Sequence, residues 1–373
     1  MKATHLILFL LVILVGFSCI DLFEFEMQEP ERTLTVEGYI TTQKKVHIIR
    51  VAFATGYGSR FLGPSSGIGG AKVFINDEEG RIELLSDQGS GIYHTSSEFA
   101  AEIGKAYSLN IELRDGNRYV STPELVTPVP PIDSLTYQST RIATSNILND
   151  EIGVQVMAHF QDPRDQQNFY YWPLLESDFV IISEPELYRL PPIHPTNPRG
   201  AAPKACCSRC FHKETPSPFS VNTISDVDFN GLYQRRVIAY VRDNGIRFKE
   251  AYRLDLLHLS ISDGAHRFLS LIDQQLRLRG TVFDPPPANI RGNMVSLSNP
   301  EEQVLGYFFA ADELKLRVYI QKSKLEFVLS PPTTVPDDCR DYLNPDGRNS
   351  DPRAGMNPPL LPIEPPFDWN PPN

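Results

Sequence analysis

The stretch Phe283–Phe309 limits the backbone more than any other part of the chain, because it combines three consecutive prolines with a turn signal. The prolines at 285–287 lock three φ angles and hold the chain extended. Gly292 and Asn293 both tolerate positive φ, so they favour a tight turn directly afterwards. None of these residues is an obvious nucleophile, base or metal ligand. We therefore interpret the stretch as a structural element.

The rest of the chain has the pattern of short strands. Val295 and Leu297 alternate with serines, and the aromatic run 304–310 predicts another strand, interrupted by Gly306. Earlier in the chain, runs rich in β-branched residues and separated by turn residues predict about seven short strands. The clearest of these runs are 33–41, 46–53, 71–76, 81–85, 106–113 and 118–122.

The strand spacing predicts a mainly β chain with two domains. A small β-sandwich is expected over residues 33–126, and the Pro-spaced connector 122–133 marks its end. Residues 127–342 are expected to form a second, β-rich α+β domain, in which the insertion 184–218 carries three cysteines. The strands predicted in this second domain are 134–138, 153–160, 168–176, 234–241, 251–262 and 316–329.

One prominent helix is expected in the second domain. Ser262 or Asp263 can cap its first turn, and Gly280 is expected to end it. Because the helix leads directly into the proline stretch, we expect it to pack across the second β-sheet. Its apolar stripe consists of Phe268, Leu269, Ile272 and Leu276.

Residues 1–19 indicate export. Lys2 supplies a charged start, and the apolar run 6–17 is too short to span a bilayer comfortably. The segment ends in Val-Gly-Phe-Ser-Cys, which resembles a lipobox, so Cys19 is predicted to be acylated and to become the mature N-terminus. The alternative is an ordinary signal peptide with an incidental cysteine. Residues 20–32 are expected to form an acidic tether.

Four sequence runs point to a known family. They are PPPANIRGN at 285–293, EEQVLGYF at 301–308, VEGYI at 36–40 and GKAYSLNIELRDG at 104–116. Together they resemble a bacterial outer-membrane lipoprotein family catalogued as domain of unknown function 4249. The resemblance extends over about 19–342, and it implies a first domain similar to immunoglobulin-like or carboxypeptidase-regulatory-like sandwiches.

The resemblance also implies a location. Asp21, Glu24 and Glu26 follow the lipobox-like cysteine, and they resemble the surface-export signal of lipoproteins in the same bacterial group. We therefore expect a protein that is lipid-anchored in the outer membrane and exposed at the cell surface. Asp133-Ser134-Leu135 resembles the short O-glycosylation motif of that group, so Ser134 is predicted as a glycosylation site.

The function implied by the resemblance is an accessory role beside a TonB-dependent outer-membrane transporter, in which the β domains capture or gate a nutrient. The protein is then not an enzyme and needs no cofactor. One alternative is an adhesin or envelope-scaffold lipoprotein whose Pro-rich tail and strand edges are docking sites; a less favoured alternative is a surface hydrolase. A net charge of −11 disfavours a nucleic-acid partner, because 46 acidic side chains outnumber 35 basic ones and leave no excess of cations to neutralise phosphates.

The four remaining cysteines suggest two disulfides, because their number is even and the expected compartment is oxidising. Three connectivities are possible. A bond between adjacent cysteines is expected to be strained, so we favour one of Cys206 and Cys207 bonding Cys210 and the other bonding Cys339, with either assignment open. A zinc site formed by these thiols and His212 is the alternative, and the export signal argues against it.

Three further patterns resemble functional sites, but we interpret them as structural. Gly63–Gly67 fits G-x-S-x-G, but it lies in a Gly/Ser loop between strands, so Ser65 is not expected to be catalytic. The motif DVDFNG at 226–231 copies the start of a calcium loop, yet Val237 replaces the bidentate glutamate, so we expect a turn and no metal. The aromatic run 169–172 is interpreted as core packing rather than as a sugar platform.

The Pro-rich tail 343–373 has few apolar residues. Such a segment gains too little from burial to offset its ordering entropy, so we expect a disordered extension. Loose attachment to a partner is the alternative.

Overall fold

The computed structural model describes residues 33–54, 65–144, 150–164, 166–191, 200–204, 206–214, 221–277, 290–343 and 360–372. Within these ranges the chain forms twenty-two β-strands and one α-helix. The expectation of a mainly β chain with one prominent helix is confirmed. No helix in the described ranges is long and apolar enough to cross a membrane.

Two sheets pack face to face in the N-terminal part, which is therefore a β-sandwich, as predicted. Apolar side chains alternate with more exposed ones along each strand, so one face of each sheet enters the core. Leu34, Val36 and Ile49 of one sheet share a cluster with Val73 and Leu109 of the other. The strands of this part are β1 Thr33–Thr41, β2 Ile48–Ala54, β3 Ser65–Gly67, β4 Lys72–Asp77, β5 Ile82–Leu84, β6 Ser86–Gly89, β7 Ile92–His94, β8 Ala106–Glu112, β9 Arg118–Ser121 and β10 Glu124–Leu125.

The second part also consists of two packed sheets. One is three-stranded, in the order β11-β12-β19, and it packs against β14, β20 and the end of β22 around a second core. The strands and helix are β11 Ser134–Ile142, β12 Glu151–Gln161, β13 Phe169–Tyr171, β14 Leu174–Ile182, β15 Arg189–Leu190, β16 Ala202–Pro203, β17 Arg209–Glu214, β18 Thr223–Ser225, β19 Tyr233–Arg242, β20 Ala251–Ser260, α1 Asp263–Leu276, β21 Met294–Ser296 and β22 Leu305–Gln321.

Strand β22 joins the two parts. Its first half pairs in parallel with β1, from Thr35 opposite Leu305 to Thr41 opposite Ala311. Its second half pairs antiparallel with β20, so one eleven-stranded sheet, with central order β17-β14-β20-β22-β1-β2-β7-β6, runs through both parts. β21 pairs with β9 in the other N-terminal sheet. Segments that the sequence assigned to the second domain thus complete the first, because a parallel partner for β1 must return after a long crossover.

Two predicted strands differ from those observed. The run 168–176 forms β13 and β14, separated at Trp172 and Pro173, because proline cannot donate a ladder hydrogen bond. The predicted closing strands 316–329 are instead the end of the continuous β22 and a 3-10 turn at Lys322–Lys324.

Gly292 and Asn293 contact β22, and neither has the positive φ on which the predicted tight turn depends. Gly306 has φ of +90°, and a Cβ there would lie 1.8 Å from the Val36 carbonyl oxygen. A Cβ at Gly292 would lie 1.4 Å from the Gly306 carbonyl oxygen. The Asn293 amide donates to the Phe308 carbonyl (2.7 Å) and accepts from its N–H (3.0 Å). The structural interpretation therefore holds for these residues, whereas prolines 285–287 lie outside the described ranges.

Helix α1 begins as predicted, because the Ser262 hydroxyl accepts from the Ala265 N–H at 3.1 Å. It packs against β13, β18 and β22 at the junction of the two parts. The helix ends at Leu276, and the predicted terminator Gly280 lies outside the described residues.

The end of the tail does not fit the prediction of a disordered extension. Residues 360–372 lie on the second part of the protein, where the Leu361 N–H donates to the Arg340 carbonyl and the Phe211 N–H donates to the Pro362 carbonyl. Trp369 packs between Phe211 and other side chains of the sheet. Aromatic and charged contacts, which composition alone does not predict, hold this segment in place.

Candidate ligand-binding groove

A groove of about 640 Å³ opens between α1 and the outer face of β1 and β2. Its volume lies within the range of small-molecule sites, which are about 300–1,000 Å³. The apolar stripe of α1 forms one wall, and the paired strands β1 and β22 form the floor. The aromatic residues of the lining are Tyr39, Tyr171, Phe268, Tyr307 and Phe309.

The groove floor is a set of ordered aromatic contacts. Tyr39 and Phe309 stack with centroids 4.9 Å apart and planes 7° apart. They meet because the parallel register of β1 and β22 places these two residues directly opposite each other. Tyr171 packs edge-on against Phe309 at 6.4 Å. Fixed ring faces of this kind can hold the flat apolar face of a ligand.

Two phenol hydroxyls supply polar groups in the groove. Within the described residues, neither Tyr39 nor Tyr171 makes a hydrogen bond through its hydroxyl. Burial raises the pKa of Tyr171 to about 12, with the nearby Glu37 adding to the effect. Burial likewise raises the pKa of Tyr39 well above its usual range. Both hydroxyls therefore stay protonated at neutral pH and can donate to a ligand.

The charges at the groove cancel. Arg50 lies 4.0 Å from Glu37, and both side chains are largely exposed. Lys45 pairs with the buried carboxylate of Glu313. Because each cation of the lining has an acidic neighbour, the groove favours a neutral ligand over a strongly charged one.

His47 lines the groove, but its role is to stabilise the fold. Its ring Nε2 accepts the Thr41 N–H at 3.0 Å, and its ring Nδ1 lies 3.4 Å from the Thr95 hydroxyl, which also accepts the His47 backbone N–H at 2.9 Å. Burial, reinforced by Lys45, lowers the pKa of His47 to about 4. The ring is therefore neutral at pH 7 and closes the loop between β1 and β2.

A buried carboxylate fixes α1 to the sandwich behind the groove. Glu124 is 3% exposed and accepts from the hydroxyl of Ser262 (2.5 Å), the hydroxyl of Tyr307 (2.8 Å) and the amide of Asn293 (3.2 Å). Burial raises the pKa of Glu124, and the three donors oppose that effect. Since Ser262 caps the helix, this network sets the distance between α1 and the groove floor.

The cysteine pairing differs from the expected one. Cys206 is bonded to Cys207, and Cys210 to Cys339, whereas we expected each of the adjacent cysteines to bond a more distant one. Cys210 faces inward from β17, and its Cα lies 5.7 Å from that of Cys339, a normal disulfide separation. All four sulfurs lie near the buried carboxylate of Asp338. His212, the other zinc candidate, packs against Phe179 and Tyr342.

The calcium-like motif forms a turn, as predicted. The Phe229 N–H donates to the Asp226 carbonyl at 2.7 Å, and the Asp226 carboxylate accepts from the Asn168 N–H at 2.8 Å. Asp228 is exposed. Among the described residues, no three acidic, His or Cys ligand atoms cluster at this turn.

The other predicted sites lie apart from the groove. Ser134 is exposed at the start of β11, and Ser65 begins β3, which is followed by strand β4. Cys19 lies outside the described residues. Of the aromatic run 169–172, three rings are buried in the cores as predicted, whereas Tyr171 lines the groove.

Sequence reasoning did not single out Tyr39, Phe268 or Phe309 as site residues. Their only sequence signal is an aromatic residue on an apolar strand or helix face, which usually indicates core packing. The groove depends on the pairing of β1 with β22, whose opposed residues are 270 positions apart at Tyr39 and Phe309.

These features define a mainly β protein in which a helix-flanked aromatic groove lies where two sandwiches meet. The family model described as Domain of unknown function (DUF4249) matches residues 20–317, so the chain belongs to this family. The match covers the N-terminal sandwich, α1 and most of the second part, including every residue of the groove. No curated protein matches the chain.

Proposed function

We propose that this protein is a non-enzymatic, ligand-binding lipoprotein of the outer-membrane surface that serves a TonB-dependent transporter. The groove between α1 and the β1–β2 face is the observation that carries the proposal. In this function the groove captures a small neutral molecule with a flat apolar face and passes it to the transporter. The aromatic floor contacts the apolar face, and the hydroxyls of Tyr39 and Tyr171 contact the polar edge.

The position of the groove supports a membrane-anchored role. Strand β1 lines the groove and begins at Thr33, directly after the acidic tether 20–32. A fully extended tether of this length reaches about 45 Å, so an acylated Cys19 keeps the groove within that distance of the membrane. A ligand bound there stays close to a membrane-embedded partner.

The chemistry of the groove supports binding rather than catalysis. Its cations are paired with carboxylates, and His47 uses its Nε2 to accept a backbone N–H. A general base or nucleophile needs a free lone pair aimed at the substrate. Within the described lining, Tyr39 and Tyr171 have raised pKa values, which makes them hydrogen-bond donors and not bases.

A mild-detergent pull-down of the tagged protein from its native outer membrane, followed by mass spectrometry, tests the proposal. We expect a TonB-dependent transporter in stoichiometric amount. Phe309→Ala is expected to keep the transporter while losing ligand, whereas Cys19→Ala is expected to lose membrane association. Repeated recovery of the protein without a transporter would refute the accessory role.

An adhesin or scaffold role is the second candidate, and one observation favours it. Strand β5 forms an edge of its sheet, and its Ile82 and Leu84 are 65% and 61% exposed. Exposed apolar side chains on a sheet edge can dock another protein. The double variant Ile82→Ser/Leu84→Ser is expected to reduce cell-surface adhesion under this candidate and to leave it unchanged under the accessory role.

A further inference from the structure

The last described segment of the chain is bound to the second part like a peptide ligand. We call residues 360–372 the C-terminal strap, and the side chains beneath its end, Phe211, Arg253, Arg317 and Tyr319, the strap seat. The seat residues lie on β17, β20 and β22, which are neighbouring strands or nearly so in the large sheet. Rigid strands therefore hold all four side chains.

Trp369 is the apolar anchor of the strap. Its ring packs edge-on between Phe211 (5.3 Å) and Tyr319 (5.5 Å). The Arg253 guanidinium lies 6.0 Å from the ring centroid. Tryptophan held by aromatic rings and arginine is the residue type that dominates the energy of many protein interfaces.

Asp368 is the charged anchor. Its two carboxylate oxygens contact Arg253 and Arg317, the latter at 2.7 Å. These contacts lower the pKa of Asp368 to about 2. The Tyr319 hydroxyl donates to the Asp368 carbonyl at 3.1 Å and accepts the Asn370 N–H at 2.9 Å. The seat thus contacts one acidic side chain, one tryptophan and the backbone on either side of that tryptophan.

Contacts within the sheet itself hold the two arginines of the seat. Arg317 donates two hydrogen bonds of 2.7 Å to Asp255, and Arg253 pairs with the buried Asp178. Each arginine is therefore oriented by a carboxylate of the sheet itself, and each directs a further N–H to Asp368 of the strap. Preorganised donors of this kind reduce the entropic cost of binding a ligand.

Removal of the strap leaves the seat with an excess of positive charge. Among the described residues, Arg253, Arg317 and Lys315 then form ion pairs with two carboxylates, those of Asp178 and Asp255. Asp368 supplies the missing negative charge. An empty seat therefore favours an acidic ligand by charge complementarity.

The strap contributes little to the core. Leu361 is 7% exposed, but Leu360, Ile363 and Phe367 on the same segment point outward, and Phe367 is fully exposed. A segment held by one buried leucine, one tryptophan and one ion-pair cluster resembles a short bound peptide more than a structural strand. Such a segment can be exchanged without unfolding the sheet beneath it.

We propose that the strap seat is a peptide-recognition site for a proline-flanked segment with adjacent Asp and Trp, filled here by the chain's own C-terminus and open to a partner protein that carries the same pair. The site goes beyond the proposed groove function, because it lies on a different part of the protein and binds a different class of ligand. The tethered strap has an effective concentration on the order of mM, so it protects the seat until a stronger or more concentrated partner segment displaces it.

Fluorescence anisotropy with a labelled peptide of the sequence LLPIEPPFDWNPPN, residues 360–373, tests the site. The full chain carrying Asp368→Asn and Trp369→Ala has a weakened strap and is expected to bind the peptide saturably. The wild-type chain is expected to bind it at least about tenfold more weakly, because its own strap competes. A control peptide with the same two substitutions is expected not to bind.

Circular dichroism must show that the substituted chain keeps its strands. With a folded substituted chain, either of two results would show that the proposal is wrong. One is that the wild-type peptide shows no saturable binding up to about 1 mM, and the other is that it binds no better than the control peptide. Adding Arg317→Ala to the substituted chain is expected to abolish binding, which assigns the interaction to the seat.

A second measurement covers the case in which the substituted chain misfolds. A protease site introduced between residues 344 and 359 of the otherwise wild-type chain converts the strap into a free peptide after cleavage. We expect an added labelled peptide to replace the cleaved strap during dialysis. Retention of the original strap against an excess of labelled peptide, on an intact body, would show that it is an integral part of the fold.

Discussion

Acidification is expected to destabilise the N-terminal sandwich through His47. The ring is buried, and its Nε2 accepts the Thr41 N–H at 3.0 Å, so protonation of this atom breaks a buried hydrogen bond. Phe99 packs edge-on against the ring, and Lys45 opposes a second positive charge nearby. These surroundings lower the pKa of His47 from 6.5 to about 4.

The sign of the effect follows from the direction of this shift. The unfolded chain binds the proton more readily than the folded chain, so acid favours unfolding. The contribution of His47 to stability is complete above a pH of about 6.5 and is lost progressively as the pH falls towards 4. With these two pKa values, the loss between pH 7 and pH 5 is about 2 kcal/mol, and it approaches about 3 kcal/mol below pH 4.

Urea unfolding followed by far-UV circular dichroism at pH 7, 6 and 5 measures this loss. The variant His47→Gln keeps a hydrogen-bond acceptor but does not titrate. We expect the wild type to lose about 2 kcal/mol more than this variant between pH 7 and pH 5. His159→Gln, on β12 of the second part, is the matched control and should follow the wild type. Equal pH dependence of the wild type and His47→Gln would refute the reasoning.

Three other changes have outcomes that the structure predicts. Gly306→Ala places a Cβ 1.8 Å from the Val36 carbonyl at a positive φ, so we expect a loss of at least about 3 kcal/mol in thermal unfolding; an unchanged Tm would contradict the close approach of β22 to β1. Cys339→Ser opens a link across 129 residues and is expected to cost about 5 kcal/mol, whereas Cys206→Ser, which opens a link between neighbours, should cost much less; equal losses would argue for a Cys206–Cys339 bond, one of the two assignments that the sequence leaves open. Phe309→Ala removes half of the stacked pair in the groove floor and is expected to weaken ligand binding about tenfold in calorimetry, with little change in the far-UV spectrum.

The local elements of this fold could be predicted from the sequence. Strand β1 was expected at 33–41 and is found there, because alternating β-branched residues determine which face of a strand is apolar. The start of α1 was also predicted, because the Ser262 cap acts within its own turn. The role of Gly292 and Asn293 is not local in this sense, because neither has a positive φ. A Cβ at Gly292 would lie 1.4 Å from the Gly306 carbonyl oxygen, and the Asn293 side chain hydrogen-bonds the backbone of Phe308.

Contacts between distant segments could not be predicted in this way. The two cysteine pairs depend on which thiols the folded sheets bring together, and an even count leaves three connectivities open. The prediction of a disordered tail was wrong for the strap, because a Pro-rich composition indicates only that the segment cannot form a core of its own. Asp368 and Trp369 instead bind side chains that lie on β17, β20 and β22.

By itself, the sequence determined the mainly β class, most strand starts, the start of the helix and the family, because each depends on a short pattern or a direct resemblance. Only the tertiary structure decided where the groove lies. Tyr39 and Phe309 meet because β22 returns beside β1 after a crossover that contains most of the second part. Parallel pairing across such a crossover leaves no periodic signal in either strand, so a binding surface made of both is visible only once the chain is folded.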